Sequence, residues 1–327
     1  MWFDAHLDLA CLAVNGRDLT APLDSCGGPW LPAGVTFGSL AEGGVTRCLA
    51  TVFTEADGDP REASSYPMGD AAAAARAGRL QVETYRRWKA EGRGPRMDLL
   101  IECADPVSGP EELPWWRERG VVAIGLAWAR GSRYATGNSA ATRDPAVGLT
   151  DSGRAMVRAM DELKVVHDLS HLSDRACDEL LDLARGPVIA SHSNVRALLD
   201  GPLGPGGDNH RHLRDETIRQ IADRGGVIGL NLIKHFIAPA NKDDPGDRPS
   251  VARAIDHVEY IADLVGHRRA VGLGSDMDGG VSARDLPAGI DAPRGYALLA
   301  EELRRRGWPD ADIRAFAWGN FARVFGA

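Results

Sequence analysis

The sequence has no run approaching the ~18 to 20 apolar residues that a membrane span needs, and no membrane partner is expected. It opens with no basic segment followed by an apolar one, so no signal peptide is expected. Its cysteines, Cys11, Cys26, Cys48, Cys103 and Cys177, are scattered, odd in number and form no C-x-x-C pair. That usage predicts reduced thiols and a cytoplasmic location. There is no basic stripe either: 38 basic residues face 46 acidic ones, for a net charge of −8. A nucleic-acid partner demands a positive footprint, so none is expected. Internal repeats and low-complexity tracts are missing. The turn-rich "GPLGPGG" is followed by no lysine–serine pair, so it is no phosphate cradle. The serines of "SHS" (191–193) sit in no G-x-S-x-G elbow, which sets serine hydrolysis aside.

What is present is a chain of 327 residues, 44% hydrophobic and 26% charged, enough for a large core. Eight apolar runs recur: 2–10, 45–53, 97–105, 121–128, 165–172, 187–193, 226–233 and 270–278. Several are almost continuously apolar, as strands buried on both faces are. Helical patterns lie between them, among them 71–92, 150–163, 173–184, 214–225 and 250–265. Repeated strand–helix alternation predicts an α/β protein, a (β/α)8 TIM-type barrel forming a single domain over 1–327. Helix-to-strand connections are tight and strand-to-helix loops long, so the site is expected on the C-terminal face, where those loops gather.

Polar residues crowd those strand ends. The first strand offers His6 and Asp8, two apart and so on one side of a pleated strand. Glu102 ends the third, His171 the fifth and His192 the sixth, and Asp276 and Asp278 end the eighth. A lone strand-end histidine is usually a hydrogen-bonded core residue. Donors on five strand ends of one barrel point instead to a divalent ion such as zinc. Two ions ~3.5–4 Å apart, sharing one carboxylate and one hydroxide, use the whole set. Glu102 is the natural bridge, because a carboxylate has two oxygens.

The ordered motifs "HLDL", "LLIECAD", "HDLSHLSD", "PVIASHSNVRAL", "RHLRDE" and "GLGSDMDG" make the chain resemble the renal (membrane) dipeptidase family of zinc peptidases, along essentially its whole length. The resemblance implies two Zn2+ per chain, with Mn2+ or Co2+ as substitutes, and a dipeptide as substrate. It implies His6 and Asp8 on the first zinc, Glu102 bridging, and His171 and His192 on the second. It places Asp276 beside a bridging hydroxide as the proton carrier, with Asp278 in reserve. Arg211 grips the substrate carboxylate. Tolerance of a D-residue at the C-terminal position and a homodimer are further implications.

Two departures bear on substrate. Family members carry L-T-H-N where this chain reads "GLAWAR", which puts Trp128 in place of a histidine. An indole donates one hydrogen bond but never becomes cationic. Arg130, Arg133 or Tyr134 nearby are candidate replacements. "NLIKHF" after the seventh strand also lacks the tyrosine expected to hold a carboxylate. The alternatives are therefore a metal-dependent hydrolase of an N-acyl amino acid or other small amide, or a barrel that binds metal without turnover. His167 is expected in the barrel interior or behind the ligands, and His210 in a solvated loop. Arg196 and Arg214 are expected as surface charges, and Trp115 and Trp116 as helix packing. Arg47 is either an inward partner of a site carboxylate or an exposed strand end.

Overall fold

The computed structural model describes residues 1–139, 147–199, 211–238 and 248–326. His210 lies outside them. All eight apolar runs become strands: β1 Trp2–Leu7, β2 Val45–Val52, β3 Arg96–Ile101, β4 Val121–Gly125, β5 Val166–Asp168, β6 Val188–Ile189, β7 Ile228–Leu230 and β8 Val271–Leu273. They are parallel in the order β6-β5-β4-β3-β2-β1-β8-β7, and a parallel bridge from Ala190 to Ile228 joins the two ends. This is the expected (β/α)8 barrel.

Side-chain alternation divides the core. Phe3, Ala5, Leu49, Leu100, Ala123, Val166, Ile189 and Val227 form one buried cluster, closed by Phe321 and Ala322 of the helix Asn320–Phe325. The opposite faces pack outward against the helices in a second, larger cluster. Arg47, buried at the start of β2, bonds Asp98 and the carbonyls of Phe325 and Gly326, and lies over the Phe3 ring. It ties the chain end to the barrel floor, so neither alternative for Arg47 holds.

The five expected helices form at Ala71–Ala90, Asp151–Glu162, Asp174–Leu183, Asp215–Asp223 and Val251–Val265. Asp70, Thr150, Ser173 and Ser250 each accept a bond from a first-turn N–H and set four of the starts. Trp116 is fully buried, and Trp115 sits under Arg79 and Arg119, which is helix packing as expected. The helices Tyr296–Arg305 and Asp310–Arg314 and the π-turn Ala315–Gly319 lie beyond the last expected element.

Strands β5 to β8 are only two or three residues long, shorter than the apolar runs that contain them. The chain leaves the ladder early, and the remainder of each run turns into the mouth of the barrel.

Candidate metal centre

His6 is brought to the mouth by an irregularity in β1. Asp4 pairs with Cys48 and Leu7 with Ala50, so three steps in β1 oppose two in β2. Such an extra residue re-aims side chains at barrel rims. Asp4 is held by the Tyr296 hydroxyl and the Ser275 N–H. Asp8 lies one residue past the strand, with Thr51 donating to its Oδ1.

The other donors also sit beyond strand ends. His171 and Asp276 have left-handed backbones, φ 69° and 57°. This is unusual for residues with a side chain and recurs at functional sites. Gly279 leaves room for both carboxylates: a Cβ there would lie 2.0 Å from Asp276 Oδ1 and 2.9 Å from Asp8 Oδ2. Gly274 and Gly229 admit Ser191, whose carbonyl would lie 1.8 and 1.9 Å from a Cβ at either position.

These turns converge six side chains. Glu102 Oε2 is 3.4 Å from His6 Nε2, and its Oε1 is 3.2 Å from His171 Nε2 and 3.5 Å from His192 Nε2. His6 Nε2 is 3.9 Å from Asp8 Oδ2 and 4.0 Å from Asp276 Oδ1. The Nε2 atoms of His171 and His192 are 3.0 Å apart. Three overlapping donor groups result: His6–Asp8–Glu102, Glu102–His171–His192 and His6–His192–Asp276.

Each histidine is oriented from behind. Ser191 Oγ meets His6 Nδ1 at 3.2 Å and His192 Nδ1 at 2.7 Å, and donates to Asp168 Oδ2 at 2.6 Å. His171 Nδ1 meets Asn138 Oδ1 at 3.3 Å. With every Nδ1 so engaged, each Nε2 lone pair is left for the centre, the arrangement metal-binding histidines use. His6 Nε2 is buried with no hydrogen-bond partner.

Electrostatics agree. Burial, reinforced by the negative charge of Glu102, pushes the Asp8 carboxyl up to about 6. Burial, with Asp8 and Glu102 beside it, pushes Asp276 up to about 7. Burial depresses His6, but Glu102, Asp8 and Asp276 lift it to about 10. Three carboxylates therefore crowd a dry site with an excess of negative charge. That excess, the orphaned nitrogen and the mixed imidazole–carboxylate set fit divalent cations.

Ser191 and Asp168 carry no signal as supporting residues when only the sequence is read. Their role comes from contacts across two strand ends. Ser191→Ala is expected to lower metal affinity about 10- to 100-fold, the usual effect of losing an outer hydrogen bond to a ligand. Retained metal after dialysis against a graded chelator measures this.

Asp278 is not where the sequence suggests. Beyond β8 the chain is no longer a strand, and Asp278 itself has φ 63°, so the two-residue parity with Asp276 does not hold. Its carboxylate pairs with Arg17 and accepts the N–H groups of Gly34 and Val35. It is a buried anchor with both oxygens engaged by Arg17, Gly34 and Val35. Asn231, unforeseen, donates to Asp276 Oδ2 at 2.9 Å.

Arg211 lies behind the donors. It donates to Ser193 Oγ and the His192 carbonyl, stacks on Phe236 at 4.8 Å, and keeps Nε unpartnered. Arg196 and Arg214 pair with Asp174 and Asp178. Arg133 bonds Asp105 and Tyr134 bonds the Val107 carbonyl, so neither faces the donors; Arg130 pairs with Glu55. His167 faces the helix layer through Asp161 at 2.8 Å, behind the site and not inside the barrel. Trp128 stands at the mouth, 5.9 Å from the His171 ring and 5.4 Å from Phe53. Above the donors is a cavity of about 510 Å³, reached by Asp8, Glu102, His171, Asp276 and Trp128. No helix of the described residues is long and apolar enough to cross a membrane.

The chain is similar to known proteins. A dipeptidase of Aspergillus oryzae, aclJ, is 31% identical over 230 residues, 70% of this chain and half the length of that protein. The probable dipeptidase PvdM of Pseudomonas aeruginosa superposes with a TM-score of 0.79 at 20% identity, over 100% of this chain and 94% of its own. A metallo peptidase of Rhodobacter sphaeroides, liganded with a phosphinate mimic of L-Ala-D-Ala, gives 0.75 at 20% identity, over 99% and 97%. These two likenesses establish the shared fold. The pattern of the membrane dipeptidase family, peptidase family M19, matches residues 3–327, and the chain belongs to that family of metallopeptidases.

Proposed function

We propose that the protein is a dinuclear, zinc-type dipeptidase. The observation that carries this reading is the division of Glu102. One of its oxygens faces His6 on the Asp8 side, and the other faces His171 and His192. A bridging carboxylate needs that split; a single-ion site does not.

When bound, metal ions would supply Lewis acidity toward the scissile carbonyl and lower the pKa of a water at the site. The protein's residues do the rest. His6 and Asp8 would hold a metal on one side, His171 and His192 on the other, with Glu102 available to both. Asn231 locks one oxygen of Asp276 and leaves Oδ1 facing the donors. Asp276 there takes the proton from water and delivers it to the leaving amine. Arg211, behind the donors with its buried Nε unpartnered, supplies the positive charge that would draw the substrate carboxylate. Trp128 walls the mouth with a neutral face and offers the substrate one indole N–H but no positive charge.

The test is hydrolysis of L-Ala-L-Ala, L-Ala-D-Ala and Gly-D-Ala by zinc-loaded protein, beside a chelator-treated control. The D-residue substrates are included because a relative binds a mimic of L-Ala-D-Ala. Chelator-sensitive cleavage with two metals per chain is the expected result. Two bound metals with no dipeptide cleaved, but with turnover of an N-acyl amino acid, would shift the reading to an amide hydrolase. The neutral Trp128 wall favours that second reading.

A further inference from the structure

The segment 27–35 runs beside the mouth and is stapled to the loop after β8. Arg17 and Asp278 pair with both side chains fully buried. Arg17 also donates to the carbonyls of Gly27 and Pro29, on the two sides of Gly28. Asp278 accepts the N–H groups of Gly34 and Val35 at 2.9 Å. The fit is close: a Cβ at residue 28 would lie 2.7 Å from Arg17 Cβ, and one at residue 34 would lie 2.8 Å from Met277 Sδ.

Between those anchors stands Trp30. Its backbone is left-handed, φ 58°, and its side chain is 45% exposed. A bulky residue in that conformation is a true outlier, kept only where its surroundings impose it. A half-exposed indole on such a backbone presents an apolar face to solvent. With Leu12, Pro29 and Val281, Trp30 is among the apolar residues lining the cavity that Asp276 also lines.

We propose that Trp30 is a specificity-determining residue that contacts the side chain of the substrate's N-terminal residue, and that the Arg17–Asp278 pair positions it. This rests on the dipeptidase reading. Arg211 lies on the loop after β6, behind the donors, and Trp30 is held against the loop after β8 in the same cavity as Asp8 and Asp276. With the substrate carboxylate toward Arg211, the N-terminal residue points away from it and into the part of the cavity that Trp30 lines. The indole face is apolar, so Leu or Phe at that position is favoured over Gly.

The experiment measures kcat and KM for Gly-Ala, Leu-Ala and Phe-Ala with wild type, Trp30→Ala, Trp30→Phe and Asp278→Asn. Trp30→Ala is expected to lower kcat/KM for Phe-Ala about tenfold or more, mostly through KM, the range set by one apolar side-chain contact. Gly-Ala, with no side chain to offer, loses far less. Trp30→Phe restores most of the preference. Asp278→Asn reproduces the loss of preference and adds little to it in the double variant. If Asp278→Asn does not fold, the two Trp30 variants decide the matter, since a half-exposed position leaves Tm within about 2 °C. Equal losses for Gly-Ala and Phe-Ala, or no loss for either, overturn the proposal and leave the dipeptidase reading standing. A wild type that cleaves none of these dipeptides overturns both.

Discussion

Glu102→Gln is expected to strip metal from the protein and reduce dipeptide hydrolysis by more than about 10²-fold. An outer hydrogen bond to a ligand is worth 10- to 100-fold in metal affinity, and Glu102 is a direct donor facing three histidines. The amide keeps the side chain's volume but replaces one oxygen with an NH2 group, which has no lone pair to offer a cation. It also removes the negative charge that burial would disfavour and that His6 and His171 hold well below the usual carboxylate range. Metal analysis before and after dialysis gives the stoichiometry, and a dipeptide assay gives the rate. Unchanged metal and unchanged rate would sink the shared-carboxylate model.

The second large effect is on stability, far from the site. Phe321→Ala is expected to destabilise by about 3–5 kcal/mol, the range for deleting a buried aromatic ring. For a chain of this size that lowers Tm by about 4–8 °C. Phe321 is 1% exposed, 5.7 Å from the Phe3 ring, and packs on the backbone of β8 so closely that a Cβ at Gly272 would lie 2.6 Å from it. It seals the bottom of the barrel while the donors occupy the top. Metal stoichiometry at temperatures below the transition should stay at the wild-type value. Thermal unfolding followed by circular dichroism is the measurement. A Tm within about 2 °C of wild type would show that the floor is held by other contacts, chiefly Arg47 on the terminal carbonyls.

Most of the fold is legible in the residues because its signals are local. Apolar runs, turn residues and N-caps such as Thr150 and Ser173 mark where strands and helices lie. The donor types are legible too, since His6, Glu102, His171 and His192 are polar residues in apolar surroundings. The end of the barrel is less so. Tyr296 bonds Asp4 and the turn Ala315–Gly319 packs against β1 and β8, and no local pattern marks those contacts.

By itself the sequence determined the eightfold alternation, the polarity of the barrel and the donors available at its mouth. Only the tertiary structure decided how those donors are used. Asp276 and Asp278 are two apart and chemically identical, yet one faces the donors and the other is locked to Arg17. Spacing along a strand predicts a shared face, but that rule ends where the ladder ends, and both residues lie beyond it with left-handed backbones. The same holds for Ser191, which orients two histidines, one on its own strand end and one across the barrel. Contacts made across the barrel depend on closure of the whole sheet, which no stretch of sequence encodes alone.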